Sequence, residues 1–155
     1  MSFATVDDLR AAVGTHLGYG DWLAIDQHRI DTFADATGDH QWIHVDPERA
    51  ATGPFESTIA HGYLTLSLLP VLASRMAAVD EARMSVNYGL NKVRFPAPVP
   101  TGSRVRAGVE LLAVDDVPGG VQVMTRVTVE RDGGDKPVCI AETVTRVYLE
   151  RGGPS

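Results

Sequence analysis

The sequence is poor in cysteine, in basic residues and in long apolar runs. Its one cysteine, Cys139, excludes an internal disulfide framework and a zinc site built from four cysteines. Fourteen Lys and Arg residues against 20 Asp and Glu residues leave a net charge of −6, so bulk charge attracts neither nucleic acid nor anionic lipid. No stretch approaches the roughly eighteen consecutive apolar residues of a membrane-spanning helix. These absences predict a soluble protein of the reducing cytoplasm, with no nucleic-acid or membrane partner.

The composition is otherwise that of an ordinary globular protein. The chain has 155 residues, of which 44% are hydrophobic and 22% charged, and this length is enough to bury one core without covalent staples. We expect residues 1–150 to form a single domain. The glycine-rich end, residues 151–155, is expected to be a flexible tail.

Helical patterns dominate the first half of the chain. Val6 to Val13 predicts a short helix, and a second helix should run from Asp26, a good N-cap, to Gly38, a good stop. A broad apolar stripe then predicts the longest helix, from His61-Gly62 towards Val79, with a kink where Pro70 removes a hydrogen bond.

Strand patterns fill the second half. Apolar residues alternate with polar ones in 105–111, 121–129 and 138–149, and a further strand is expected over 84–95. Helices followed by an antiparallel meander indicate the α+β class. Since 121–129 and 138–149 bury one face each and offer edges that must be covered, we expect a homodimer.

One loop concentrates groups suited to acid–base chemistry. Asp39 and His44 lie five residues apart after the second predicted helix, and a curled loop would let them hold one water between them. The same residues also fit a plainer interpretation, in which Asp39 caps the next turn and His44 is a half-buried structural histidine.

Metal and cofactor sites are weakly indicated. His40, His44 and His61 are candidate zinc ligands, but Gln41 stands where the zinc-protease pattern requires glutamate. No phosphate-binding or dinucleotide loop is present, and Cys139 lies in a predicted strand, as core cysteines do. We therefore expect neither a metal nor a cofactor.

The arrangement of these motifs resembles the MaoC-like (R)-specific enoyl-CoA hydratases, the hydratase-2 family. The segments that carry the resemblance are Ala36-Thr37-Gly38-Asp39, His44, Asp46-Pro47, Ala50-Ala51 and Ile59-Ala60-His61-Gly62. The resemblance implies a hot-dog fold, in which a curved antiparallel sheet wraps a long central helix, and a dimer. It also implies hydration of a trans-2-enoyl-CoA to the (R)-3-hydroxyacyl-CoA, or the reverse dehydration.

The same resemblance assigns roles to particular residues. Asp39 would act as the base towards water, His44 would orient that water, and the Gly62 N–H would polarise the thioester carbonyl. His61 would be a structural partner of that turn. The family's Asn-Pro is Gln41-Trp42 here, so Trp42 is expected to line the acyl channel, and Pro70 replaces a small hydroxyl residue of some relatives.

The carrier end of the substrate needs positive charge that the acidic chain must supply locally. Lys92 and Arg94 are the nearest such residues to a motif segment, although both also fit the pattern of solvated strand residues. The carrier is coenzyme A or acyl carrier protein. Two other functions remain open: a hot-dog thioesterase, which would hydrolyse the thioester, and a non-catalytic acyl-binding partner subunit.

Overall fold

The computed structural model describes residues 2–149, so the predicted tail at 151–155 lies outside the described residues. Six short helices are formed in this range. They are Val6–Ala11 (α1), Gln27–Thr37 (α2), Trp42–Val45 (α3), Pro47–Ala51 (α4), Gly62–Ser67 (α5) and Leu69–Leu72 (α6). None of the helices in residues 2–149 is long and apolar enough to cross a membrane.

Most of the strands follow the helices, as the alternation predicts. They are Ser2–Phe3 (β1), His16–Tyr19 (β2), Leu23–Ile25 (β3), Ala78–Val79 (β4), Ala82–Arg94 (β5), Ser103–Val117 (β6), Gly120–Arg131 (β7) and Cys139–Leu149 (β8). Strands β2, β6, β7, β8 and β5 are hydrogen-bonded in that order, and β3 also pairs with β6. All these pairs are antiparallel, whereas β1 and β4 form a small parallel pair.

The sheet is curved around the helices, which confirms the expected α+β class and hot-dog fold. Register shifts interrupt the pairing of β5 with β8 and of β6 with β7, and such bulges bend a strand. Alternate residues of β7 are buried along most of its length, and so are the matching positions of β6. These side chains form the core against α5 and α6.

The central helix is shorter than the apolar stripe predicts. It breaks at Leu68, between α5 and α6, because Pro70 has no N–H to donate to the preceding turn. It ends at Leu72, and Val79 belongs instead to β4, where it pairs with Phe3. The kink is therefore confirmed, but the extension beyond Leu72 is wrong, since a strand pairing distant in sequence takes those residues.

The strands that lie at the edges of the sheet also differ from those expected. Strands β7 and β8 are central, because each is hydrogen-bonded to a neighbour on both sides. One edge of the sheet is β5, which is exposed over nearly its whole length, and β2 and β3 lie along the other edge. The exposed large apolar side chains of this strand are Met84, Val86, Tyr88 and Leu90.

Candidate active site

Asp39 is placed by the end of α2. Gly38 ends that helix with a left-handed φ of 81°, a conformation that glycine adopts at little cost, and its N–H donates to the Ala34 carbonyl. The next residue, Asp39, therefore leaves the helix with its carboxylate exposed, and Oδ1 accepts a hydrogen bond from the Gln41 N–H at 3.3 Å. The turn-capping interpretation of Asp39 is thus correct, and the second carboxylate oxygen remains available.

His44 lies in α3, and its side chain is buried, with 7% of the residue exposed. Its Nδ1–H donates to the Ile59 carbonyl at 2.7 Å, since a carbonyl oxygen can only accept. In the neutral ring Nε2 then carries the lone pair. Burial lowers the pKa of His44, against the opposing effect of the Ile59 hydrogen bond, and the neighbouring His61 lowers this pKa further.

The structure brings the two predicted catalytic side chains together. One carboxylate oxygen of Asp39 and one ring nitrogen each of His44 and His61 lie within 4.8 Å of one another. At that separation a single water can lie about 2.8 Å from both Asp39 and His44, a normal hydrogen-bond length. The site is therefore the right size to hold a water between the Asp39 carboxylate and the His44 ring.

His61 joins this cluster from the turn before α5. Its ring is stacked on that of His44, with centroids 3.8 Å apart and planes 23° apart. Its Nε2–H donates to the Asp39 backbone carbonyl at 3.0 Å. A metal ion must lie in the plane of each imidazole that binds it, and two stacked rings direct their lone pairs along nearly parallel planes. The stack therefore disfavours joint coordination of one metal by both histidines.

Gly62 begins α5 directly after His61. As the first residue of a helix it has a backbone N–H without a partner inside that helix, which makes it a donor for an incoming oxygen. The Phe95 ring lies 3.1 Å from the position a Cβ would take on Gly62. A side chain at position 62 would press against that ring, which would have to shift by a few tenths of an ångström.

Sequence reasoning missed the residue that anchors His44. The Gln27 amide donates to the His44 backbone carbonyl at 2.7 Å and accepts from the hydroxyl of Thr58, which is buried. These contacts join α2, α3 and the segment that carries Ile59. The only signal in the sequence is a polar residue directly after the Asp26 N-cap, and this does not identify its distant partners.

Two other predicted residues have their contacts outside the cluster of Asp39, His44 and His61. His40 is exposed and bonded to Asp35 at 2.9 Å, and this hydrogen bond raises the pKa of His40. The three candidate zinc ligands His40, His44 and His61 are therefore not brought together. The Trp42 indole packs 3.0 Å from where a Cβ would stand on Gly53, and the Arg49 guanidinium covers the ring at 4.3 Å.

Lys92 and Arg94 are exposed on β5. Lys92 lies opposite Glu142 of β8, while the Arg94 guanidinium donates to the Val93 carbonyl at 2.7 Å. Arg94 immediately precedes Phe95, whose ring touches Gly62. Of the two, Arg94 is therefore the nearer along the chain to the ring that packs beside Gly62.

Two cavities flank α5. One, of about 310 Å³, has Gly62, Thr65, Phe55 and Phe95 in its wall. The other, of about 440 Å³, lies between the helices and the sheet, and its wall is mostly apolar. Its lining includes Leu66, Leu69, Pro70, Val123, Val127 and Leu90. Space for an extended apolar group is thus present next to the helix that carries the Gly62 N–H.

Comparison with known proteins gives matches over most of the chain. The sequence model of the family described as "MaoC like domain" matches residues 8–132. The 3-hydroxyacyl-thioester dehydratase Z of Mycobacterium tuberculosis is 57% identical over 146 residues, covering 94% of this chain and 97% of that protein. The (R)-specific enoyl-CoA hydratase of Aeromonas caviae is 30% identical over 123 residues, covering 79% and 74%.

A solved structure supports the same relation. The (R)-hydratase from A. caviae superposes with a TM-score of 0.71 at 26% identity, covering 86% of this chain and 94% of that chain. The family model spans residues 8–132, so the residues 39–62 that form the cluster fall within the matched region.

Proposed function

The chain belongs to the MaoC-like domain family, and we propose that it adds water to a trans-2-enoyl thioester, or removes it from the 3-hydroxyacyl thioester. The names of two relatives, a 3-hydroxyacyl-thioester dehydratase and an (R)-specific enoyl-CoA hydratase, support this reaction class. The (R) configuration of the product is part of the proposal.

The observation that carries the proposal is the pairing of Asp39 with His44. A carboxylate oxygen of Asp39 and a ring nitrogen of His44 are close enough to share one water, and in the neutral His44 ring Nε2 is able to accept a hydrogen bond from it. Water donates one hydrogen to each group, so its oxygen lone pair is free to face the β-carbon of a substrate. Neither a turn cap nor a buried structural histidine requires this convergence.

The reaction then needs three groups. The Asp39 carboxylate takes a proton as the water oxygen bonds to the β-carbon, while His44 orients the water and helps to relay the proton to the α-carbon. The electron pair of the double bond moves towards the thioester carbonyl, whose oxygen becomes an enolate oxygen. The pair returns to the α-carbon to form the new bond to hydrogen when that proton arrives. The Gly62 N–H donates to that oxygen, and a fixed donor aimed at developing charge accelerates the step.

Substrate binding would use groups that lie beside the catalytic pair. The cavity of about 440 Å³ offers apolar walls for the acyl chain. Lys92 and Arg94 remain candidates for the phosphates of coenzyme A or of acyl carrier protein, and Trp42 remains a candidate wall of the channel. The buried free thiol of Cys139 suits a reducing compartment and supports a cytoplasmic location.

We also propose that the protein is a homodimer paired through β5. This edge strand has free backbone groups and four exposed large apolar side chains, a combination that invites pairing with another strand. A second copy related by a two-fold axis would cover both copies of the strand at once.

The test is an assay of the purified protein on trans-2-enoyl-CoAs of several chain lengths. The expected result is loss of enoyl absorbance, with a chiral analysis that finds the (R)-3-hydroxyacyl product. Release of free thiol without loss of enoyl absorbance would replace the hydratase with a thioesterase. Binding of the substrate without turnover would indicate an acyl-binding subunit.

A further inference from the structure

We propose that His61 is a positioning residue that holds Asp39 and His44 in their reacting arrangement. This inference rests on the proposed function, because it assigns His61 a part in the hydration step. It does not place His61 in contact with the substrate.

His61 contacts both members of the pair from a third segment of the chain. Its Nε2–H is bonded to the Asp39 carbonyl at 3.0 Å, across 22 positions of sequence, and its ring stacks on His44 at 3.8 Å. A third contact, edge-on to Phe33 of α2, fixes the ring orientation at 4.9 Å. Because the next residue is Gly62, the same turn also relates the pair to the backbone N–H.

A histidine at position 61 lowers the stability of the fold through its second ring nitrogen. The residue is only 3% exposed, and its Nδ1 is buried without a hydrogen-bond partner among residues 2–149. Leaving a buried polar atom unpaired is unfavourable, and a phenylalanine ring would fill the same space without that cost. Packing alone therefore favours an apolar ring, whereas the hydrogen bond to the Asp39 loop requires a donor.

The consequence of losing this bond follows from the geometry of the loop. Asp39 is an exposed residue, and besides the 3.3 Å contact to the Gln41 N–H its segment is held to the buried histidine pair by the His61 bond. A displacement of about 1 Å at a reacting group can cost about a hundredfold in rate. The loss should appear in kcat, since the group that moves acts on water and not on the acyl chain.

Three variants at position 61 separate the effect of the hydrogen bond on kcat from the effect of the stacked ring. His61→Gln places an amide N–H near the position of Nε2 and keeps the donor, whereas His61→Asn is one methylene shorter and does not reach the Asp39 carbonyl. His61→Phe keeps a stacking ring but has no donor. We expect kcat to fall about tenfold or more in the Asn and Phe variants, with KM changed less than about twofold, and to stay within about threefold of wild type in the Gln variant.

The thermal midpoint supplies a second measurement. His61→Phe removes both the unpaired Nδ1 and the bond to the Asp39 carbonyl, two opposing effects, so its thermal midpoint should stay close to that of wild type. The matched control is His40→Gln, an exposed histidine of the same loop bonded to Asp35, which should keep both kcat and KM.

The outcomes distinguish this inference from the function on which it rests. A wild-type protein that does not hydrate enoyl thioesters overturns the proposed function. A wild-type protein that does, with Asn and Phe variants that keep its kcat, overturns the role of His61 alone. If the Phe variant does not fold, the Gln and Asn variants still decide, and equal kcat values for these two would refute the positioning bond.

Discussion

Replacing Asp39 with asparagine tests the shared water with little change to the loop. The Asn Oδ1 can accept the Gln41 N–H as the carboxylate does at 3.3 Å, so the turn should persist. What is lost is the negative charge and the ability to take a proton. The matched change at the other group is His44→Asn, whose side-chain N–H can replace Nδ1–H in the 2.7 Å bond to Ile59 while removing Nε2.

The expected magnitude follows from the distance between the two groups. A general acid or base contributes about two to four orders of magnitude, so each single variant should lose roughly a hundredfold or more in kcat. Two independent groups would multiply to about ten-thousandfold. Because Asp39 and His44 lie within 4.8 Å and act on one water, removing either leaves the other with little to do. The double variant should therefore be little worse than the poorer single one.

The assay is steady-state hydration of an enoyl-CoA, followed by loss of enoyl absorbance for the two single variants and the double variant. Circular dichroism and the thermal midpoint establish that each variant is folded. A folded Asp39→Asn protein with near-normal turnover would refute the catalytic role of the pair and leave Asp39 as a turn cap. Losses that multiply in the double variant would refute the single shared water.

Three further results are expected. Since burial lowers the pKa of His44 below the usual 6.5, kcat should stay level as the pH falls to about 6.5 and decline only below it, when a proton occupies Nε2; a loss centred above that pH would contradict the assignment. Gln27→Leu leaves the His44 carbonyl and a buried hydroxyl unpaired, which should lower the free energy of unfolding in urea by about 2 kcal/mol or more. Val86→Glu on β5 should shift sedimentation from dimer to monomer, whereas Val13→Glu, at 39% exposure against 43% for Val86, should not; a dimer that tolerates the first change pairs elsewhere.

The parts of the fold with local signals are those that the sequence predicts well. Asp26 caps the first turn of α2, and Gly38 ends the helix in the left-handed conformation; both effects act on neighbouring residues. The predicted bounds of α2 therefore place Asp39 correctly, directly after the helix. The alternation in β6, β7 and β8 likewise reflects burial of one face along each strand. In these segments, residues close together in sequence are enough to determine the secondary structure.

The parts that depend on distant partners could not be predicted in this way. The apolar residues after Leu72 keep the spacing of a helix, but Val79 forms a strand that pairs with Phe3 instead. The order of strands, which makes β5 an edge strand, is a property of the whole sheet. The Gln27 amide and the His61 ring join segments far apart in sequence, and no spacing rule reports such contacts.

The position of Cys139 provides a built-in probe of how the sheet opens. This thiol is fully buried in β8 opposite Val129, and burial raises its pKa to about 11. A thiol reagent should therefore ignore the native protein, so thiol released from a substrate can be counted without background from the enzyme. Any slow labelling of the protein itself reports transient separation of β7 from β8 at Cys139, the first residue of β8. Where reclosing is faster than labelling, the rate gives the free energy of that opening.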